Sequence, residues 1–177
     1  MSDSLPLVEV RPASVDDIHL ILRFIKDLAA YERAEHEVVA TEASLRTSLF
    51  GQDARAHALV CRVAGVDAGF AVYFFNYSTW QGRPGLYLED LYLTPAHRNA
   101  GAGKKMLQQL ARIAVEKGCG RFEWSVLDWN EPAIAFYKSI GAVPMDEWIR
   151  YRLAGEALAK FAEPQEVAIS VPGKRQL

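Results

Sequence analysis

The segment 86–105 constrains the fold more than any other part of the chain. Its first half, 86–93, is apolar except for the adjacent acids Glu89 and Asp90, as is typical of a central strand that carries a polar site. Pro95 follows, and because proline has no N–H to donate to a sheet, it predicts the end of the strand. Beyond the next loop, apolar residues recur at spacings of three and four, which indicates a helix. The segment therefore predicts a strand, a turn, a loop and a helix in that order.

The loop of this segment, residues 98–105, has the sequence Arg-Asn-Ala-Gly-Ala-Gly-Lys-Lys. It leads into the first turn of the helix, where unpaired backbone N–H groups and the positive end of the helix dipole favour an anion. Gly101 and Gly103 have no side chains to keep the backbone away from that anion. The loop therefore predicts a diphosphate site, and the plainer alternative is a helix that simply begins with glycines.

Two common phosphate-binding loops do not fit this spacing. A Walker-type loop needs a glycine at position 98 and Ser or Thr at position 105, where the chain has Arg98 and Lys105. A dinucleotide fingerprint needs a third glycine at position 106, where the chain has Met106. The remaining pattern, Arg-x-x-Gly-x-Gly between a strand and a helix, resembles the acetyl-coenzyme A loop of the Gcn5-related N-acetyltransferase (GNAT) superfamily.

The composition predicts one soluble globular domain. Of 177 residues half are hydrophobic and about a quarter are charged, which suits one domain, 1–177, with a tail at 164–177. The net charge is −2 and no basic stripe is present, so we expect no nucleic-acid partner. No apolar run is long enough to cross a bilayer, and residues 1–7 do not resemble a secretory signal. We therefore expect no membrane partner and a cytoplasmic location.

The sulfur and imidazole groups predict neither a disulfide nor a metal site. Cys61 and Cys119 lack the spacing of ligands and are expected to be small buried hydrophobes. The histidines at positions 19, 36, 57 and 97 share no spacing either, so we assign them no metal.

Periodicity and capping signals predict strands and helices along most of the chain. Strands are expected at 8–11, 57–63, 69–77, 86–93, 121–127 and 148–153. Helices are expected from the cap Ser14 to about Tyr31, from Thr41 to Phe50, from the glycine loop onward, at 133–140 and at 155–162. This order predicts an α/β fold with a mixed sheet and helices on its faces. The resemblance implies the GNAT fold, an acyl-CoA N-acyltransferase fold whose central sheet is mostly antiparallel.

Several short motifs resemble one group of that superfamily, the spermidine/spermine N1-acetyltransferases. They are Tyr-Leu-Glu-Asp at 87–90, Asp-Trp-Asn-Glu at 128–131, Phe-Tyr-Lys at 136–138 and Gly-Ala at 141–142. Tyr-Ser-Thr-Trp at 77–80 and Val-Leu-Asp-Trp-Asn at 126–130 resemble the thialysine N-acetyltransferase (diamine acetyltransferase) branch. Ser78 stands where the polyamine enzymes of the group have an acid. The resemblance therefore implies a smaller amine, such as thialysine, a lysine-like amino acid or a short diamine.

The resemblance also implies which residues form the site. The residues that bind acetyl-CoA would be Leu91, Tyr92, Leu93, Arg98, Asn99, Ala100, Gly101, Ala102, Gly103, Lys104, Asn130 and Tyr137. The amine side would be formed by Tyr31, Glu32, Trp80, Glu89, Glu123, Trp124, Ser125 and Glu147. The pantetheine arm would lie along the strand at Leu91 and Leu93 like an extra strand. Core packing is an equally simple explanation for the two tryptophans.

The chemistry of amide formation from a thioester assigns roles to two residues. The attacking amine must lose its proton, and its pKa of ~10.4 lies about six units above that of a glutamate. A partly dry site or a bridging water can close that gap, so we expect Glu89 to be the base, directly or through water. Asp90, expected on the opposite face of the strand, would be structural. The resemblance implies that Tyr137 is the general acid for the departing thiolate, whereas its composition context alone indicates a core tyrosine.

Three functions remain open at this point. The first is an acetyl-CoA-dependent N-acetyltransferase for small primary amines. The second is a protein N-terminal or lysine acetyltransferase, and the third is a module that senses acetyl-CoA or polyamines without turnover. Glu89 and Tyr137 argue against the third, because a sensor needs neither. The resemblance implies a homodimer as well.

Overall fold

The computed structural model describes residues 6–98 and 100–163. Two predictions fall on other residues, the contact of Asn99 with the diphosphate and the tail at 164–177, and both lie outside the described residues. The chain forms two compact units, Met1–Leu127 and Asp128–Leu177. Its organisation as one functional domain stays a prediction.

A five-stranded sheet forms the centre of the first unit. The strands are β1 (Val8–Pro12), β2 (Ala56–Val63), β3 (Val66–Ser78), β4 (Arg83–Leu93) and β5 (Phe122–Trp124). They lie in the order β1-β2-β3-β4-β5, and every neighbouring pair is antiparallel except β4 and β5, which are parallel. The predicted mixed and mostly antiparallel sheet with flanking helices is therefore confirmed.

Three helices belong to this unit: α1 (Ile18–Glu32), α2 (Glu42–Phe50) and α3 (Ala102–Glu116). Thr41 caps α2 as predicted, accepting a hydrogen bond from the Ser44 backbone N–H. The α-helix α1 begins at Ile18, later than predicted, because a 3-10 turn over residues 15–17 precedes it. The carboxylate of Asp17 in that turn accepts two hydrogen bonds of 2.8 Å from Arg11, which attach the start of α1 to β1.

The two long helices contact opposite faces of the sheet. On the α1 face, Phe24 packs on Phe70 and Tyr92 with ring centroids 5.9 Å apart in each pair. Tyr92 and Leu93 are consecutive on β4 and so point to opposite faces. A Cβ placed on Gly103 in α3 would lie 3.5 Å from the Leu93 side chain, so α3 covers the other face. The apolar stripes predicted for both helices are thus buried against β-strands.

Several strand boundaries differ from those predicted. The β2–β3 turn consists of Ala64 and Gly65, both with positive φ, so β3 begins at Val66 rather than at Gly69. At the other end of the sheet β5 covers only 122–124, because its pairing with β4 ends there.

The second unit contains α4 (Glu131–Ser139) and α5 (Gly155–Ala162), both close to their predicted positions. The strand predicted at 148–153 is wrong: this segment is irregular, and Tyr151 within it is 92% exposed. A strand needs a neighbour to pair with its N–H and C=O groups, and residues 128–163 of this unit contain no other strand. Its apolar pattern therefore does not produce a strand within the single chain.

Candidate active site

A β-bulge at Glu89 sets the geometry of the candidate site. On β3, Tyr73 pairs with Leu88 and the next residue, Val72, pairs with Asp90, so Glu89 is an extra residue on β4. Tyr87 pairs with Phe74 and so lies on the face of Val72, and Glu89 keeps that face two residues later. The extra residue then shifts the alternation of side chains by one for the residues that follow. Asp90 therefore lies on the α1 face, together with Val72 and two residues from Tyr92. The prediction that Asp90 points to the face opposite Glu89 is wrong for this reason.

The bulge brings acidic side chains together on the α1 face. Burial, followed by the charges of Glu89 and Glu32, raises the pKa of Asp90 from its ordinary 3.8 to about 6. Partial desolvation also raises the pKa of Glu32 at the end of α1, although that side chain stays largely exposed. Glu89 itself is exposed, so it is not a carboxylate buried for structure alone. The arrangement offers an accessible carboxylate beside a half-buried one that holds a proton near pH 6.

The β4 strand has an open edge beyond Leu88. Its pairing with β5 ends at the Leu88–Trp124 pair, and residues 89–93 have β3 on one side only within the described part of the chain. The predicted pantetheine residues Leu91, Tyr92 and Leu93 lie on this edge. An open edge exposes backbone donors and acceptors to which an extended ligand can add as a strand does.

The glycine loop begins α3 as predicted. Gly101 precedes the helix with φ +78, a left-handed conformation that favours glycine, and no side chain caps the helix. Ala102 is buried at the first helical position, whereas Ala100 is half-buried and Lys104 is exposed. The backbone N–H groups of the first turn therefore keep their capacity to bind an anion. These donors, with no bulky side chain on Gly101 or Gly103, fit a diphosphate.

Two cations near the loop have different partners. Arg98 is exposed, donates from Nε to the Leu93 carbonyl at 3.1 Å, and places its guanidinium 4.7 Å from the centre of the Tyr31 ring. Arg98 from the cofactor set and Tyr31 from the amine set therefore meet. Lys105 donates instead to the Val8 carbonyl and attaches α3 to β1.

The predicted amine-side residues of the first unit divide between the two faces of the sheet. Glu123 pairs with Tyr87 across β4 and β5, and Ser125 bonds the Tyr87 hydroxyl at 2.8 Å, so both lie on the face of Glu89. Trp124 points to the opposite face, where its ring packs 4.8 Å from that of Phe122. Its predicted place beside Glu123 and Ser125 is therefore not observed, because consecutive strand residues alternate.

A charged network that the sequence analysis did not identify lies on the same face. Arg121 Nε and Glu123 Oε2 are 2.8 Å apart, and Asn76 Nδ2 donates to the same oxygen at 3.1 Å. The Arg121 Nε–H makes no hydrogen bond within the described residues, so the contact with Glu123 is an ion pair. The alternation in Arg-Phe-Glu-Trp-Ser, 121–125, could have indicated that Arg121 and Glu123 share a face. No sequence signal indicates the bulge that places Asp90 on the α1 face.

The remaining predicted residues lie on a hairpin and on the second unit. Trp80 is 89% exposed in the turn between β3 and β4. Asn130 caps α4, where its side chain accepts from the Ala133 N–H at 3.4 Å. Tyr137 is half-buried on α4, and burial raises its pKa above the ordinary 10. Glu147 is exposed in the irregular segment that precedes α5.

Residues 6–98 and 100–163 contain neither a cluster of metal-binding side chains nor a helix that could cross a membrane. No group of three or more His, Cys, Asp or Glu side chains there is arranged to hold a metal ion. None of the helices in that part of the chain is both long and apolar enough to span a membrane.

Comparison with known proteins decides the family. The sequence profile of the acetyltransferase (GNAT) family matches residues 23–142, about two thirds of the chain. The chain belongs to this family. The GNAT chain is 38% identical to the thialysine N-epsilon-acetyltransferase of Sus scrofa, over 88% of its own length and 97% of the relative's. Its identity to the Mus musculus enzyme of the same name is 37%, over 86% of the chain and 96% of that enzyme.

A solved structure supports the fold of the GNAT chain. An integron cassette protein from the mobile metagenome of V. cholerae superposes with a TM-score of 0.72 and 26% identity, covering 89% of this chain and 98% of that one. The GNAT chain is accordingly an acetyltransferase, and members of the family use acetyl-CoA as co-substrate.

Proposed function

We propose that the chain transfers the acetyl group of acetyl-CoA to a primary amine of a small molecule: thialysine, a lysine-like amino acid or a short diamine. One observation carries this proposal. The bulge presents Glu89 on the α1 face at the point where the edge of β4 opens, and that edge leads to the glycine loop of α3. A thioester bound along the edge would thus end beside a carboxylate.

The acetyl-CoA contacts follow from the same edge and loop. The diphosphate would bind the N–H groups of the first turn of α3, with Arg98 and Lys104 supplying positive charge. The pantetheine arm would pair with the backbone of Leu91 and Leu93, and a backbone N–H near Leu91 would stabilise negative charge on the carbonyl oxygen. Asn130 and Tyr137 enter the proposal through the family resemblance.

The transfer forms one C–N bond and breaks one C–S bond. The amine nitrogen bonds to the acetyl carbonyl carbon, the C–S bond breaks, and the electron pair leaves on sulfur. Glu89 takes the first proton of the ammonium, directly or through water, before the nitrogen attacks. The nitrogen loses its second proton as the amide forms, and that proton replaces the one that Tyr137 gives to the thiolate. The acids around Glu89 would attract the cationic amine, and Tyr31, Glu32 and Trp80 would contact its chain.

The decisive experiment is thiol release with a panel of amines. We expect turnover with thialysine, lysine, ornithine and short diamines, and slower turnover with spermidine. Turnover restricted to protein N-termini or lysine-bearing peptides would favour the protein acetyltransferase instead. If the protein bound acetyl-CoA but released no thiol with any amine or peptide, the sensing module would be the remaining function and the proposal would be overturned.

The substitution Glu89→Gln tests the proposed base. It removes the proton acceptor but leaves the open edge and the glycine loop intact, so kcat should fall about 10²- to 10⁴-fold with unchanged acetyl-CoA affinity. Steady-state kinetics and calorimetric titration measure the two quantities. Glu116→Gln, an exposed acid at the end of α3, is the matched control and should retain wild-type kcat. Full activity of Glu89→Gln near neutral pH would remove Glu89 as the base.

We also propose a homodimer joined through the segment 148–153. Its Trp148, Ile149 and Tyr151 are largely exposed, and residues 128–163 contain no strand to pair with this strand-like sequence. The same segment of a second copy would provide that partner. A cytoplasmic location stays a prediction.

A further inference from the structure

We propose that Arg121 and Glu123 form a head-group subsite that binds the α-carboxylate and α-ammonium of an amino-acid substrate while its side-chain amine lies at Glu89. The inference rests on the proposed function and deepens it, because it separates lysine-like amino acids from diamines of the same length.

The ion pair lies on the face that carries the candidate base. Glu123 and Tyr87 are paired residues of β5 and β4, and Glu89 is the second residue after Tyr87. Arg121 is two residues before Glu123 and therefore on the same face. The side chains of Arg121 and Glu123 are 37% and 34% exposed, so both charges remain accessible to a ligand.

Neighbouring groups hold the ion pair in place over the backbone of β4. A Cβ on Gly85 would lie 2.3 Å from Asn76 Oδ1 and 2.9 Å from Arg121 Cγ, so these two side chains occupy the space above a glycine. Asn76 also donates to Glu123, and Arg121 extends a long contact of 3.5 Å to the Tyr77 carbonyl. The guanidinium therefore extends across β4 toward β3 while staying partly exposed to solvent.

The charges of the ion pair complement those of an amino-acid head group. A carboxylate favours the guanidinium, whose fork of N–H donors fits two oxygens, and an ammonium favours Glu123. The second ammonium of a diamine of the same length would pair with Glu123. The diamine has no carboxylate for Arg121, so its ammonium would lie beside that cation and be repelled by it. The subsite thus distinguishes the two classes of amine by charge.

The distance from this subsite to Glu89 fits a lysine-like chain. Arg121 is level with Gly85, and four residue steps along β4 to Glu89 span about 13 Å. An extended lysine measures roughly 7–8 Å from its terminal nitrogen to its carboxylate carbon, from bonds of ~1.5 Å. A hydrogen bond of ~3 Å at each end brings the total to about 13 Å.

Three substrates of equal chain length separate the contributions. Lysine has both head-group charges, cadaverine lacks the carboxylate, and 6-aminohexanoate lacks the α-ammonium. We expect wild-type kcat/KM to be at least about tenfold higher for lysine than for either analogue. Arg121→Gln should reduce the lysine-to-cadaverine ratio about 10- to 100-fold, the usual effect of losing a charge-assisted hydrogen bond, and Arg121→Lys should restore part of it.

Matched variants exclude a purely structural role. Arg62→Gln breaks a comparable ion pair, 2.7 Å long, with Asp67 on the β2–β3 hairpin and should leave the ratio unchanged. Glu123→Gln should reduce the preference for lysine over 6-aminohexanoate. If loss of one partner impairs folding, the double variant Arg121→Gln with Glu123→Gln removes both charges together and should acetylate lysine and cadaverine about equally.

The outcomes distinguish this subsite from the proposed function. Equal wild-type kcat/KM for lysine and cadaverine, or an unchanged ratio in folded Arg121→Gln, overturns the subsite while acetyl transfer stands. Absence of thiol release from all three substrates and from the wider amine panel overturns both. Arg121→Gln that loses stability but keeps the wild-type ratio assigns the ion pair to the fold alone.

Discussion

Glu89 and Asp90 are neighbours in the sequence, yet the bulge gives them different surroundings. Glu89 is exposed and able to meet an incoming amine, whereas Asp90 is half-buried beside it, and burial raises the pKa of Asp90 to about 6. A carboxylate that is half desolvated beside other acids is costly to ionise, and such groups concentrate at functional sites. The protein therefore carries at Asp90 a charge that its fold alone would not favour.

The substitution Asp90→Asn tests this cost through pH. The native protein binds the Asp90 proton more tightly than the unfolded chain does, so the contribution of Asp90 to the free energy of unfolding falls as pH rises from about 4 through 6. Asparagine cannot ionise, so Asp90→Asn avoids this decrease in stability. Above pH 6 its free energy of unfolding should exceed that of wild type by about 1–3 kcal/mol. Urea unfolding at pH 4.5 and pH 7 measures the difference.

The control for Asp90 is an exposed acid in a turn. Asp53→Asn, between α2 and β2, should change the free energy of unfolding at pH 7 by much less than Asp90→Asn does, because Asp53 is exposed. An Asp90→Asn stability difference that is equal at pH 4.5 and pH 7 would contradict a raised pKa at Asp90.

At the scale of elements, the loop and the helix start were predictable, whereas the strand register at the bulge and the missing partner of one strand were not. The glycine loop and the start of α3 follow from backbone preferences that glycine and the helix terminus impose locally. The bulge at Glu89 depends on how β3 aligns with β4, and no residue of β4 specifies it alone. The segment 148–153 has a strand pattern but lacks a partner in its unit. The periodicity of a segment indicates which of its side chains prefer burial. It does not show whether a second strand is present to pair with the segment.

The left-handed residue before α3 gives a prediction at this scale. Gly101 has φ +78 with nothing within 4 Å of a Cβ, so Gly101→Ala adds backbone strain of about 1–2 kcal/mol without a clash. If the loop relieves that strain by leaving this conformation, its N–H donors move and acetyl-CoA affinity should fall about 5- to 30-fold. Calorimetric titration with acetyl-CoA measures the loss.

Gly65 provides the matched control. It also has φ +78 with nothing within 4 Å of a Cβ, but it lies in the β2–β3 turn. Gly65→Ala should cost similar stability and leave acetyl-CoA affinity unchanged. Equal affinities for Gly101→Ala and wild type would show that the loop conformation does not matter for binding.

For the whole molecule, the family and the architecture were predictable because many positions along the chain carry the signal independently. Motifs spread from Tyr77 to Ala142 identify the group, and the order of strands and helices along the chain follows from alternation, periodicity and turn residues. The Arg121–Glu123 pair was not identified, since its meaning depends on Asn76 and Gly85, which are distant in sequence and meet only in the sheet. The substrate head group is therefore a property of the folded molecule.

The segment 148–153 of the second unit exposes aromatic and aliphatic side chains to solvent. Tyr151 is 92% exposed, and a strand-like segment whose aromatic and aliphatic side chains face water is a site for pairing with another chain. We expect the wild-type protein to sediment as a dimer at micromolar concentration, and Tyr151→Asp to shift it toward the monomer by burying a charge in the interface. Val115→Asp on α3, where Val115 is 79% exposed, introduces the same charge elsewhere and should leave the dimer intact. A wild-type monomer at all concentrations, or equal dissociation by the two substitutions, would show that this segment does not join two copies.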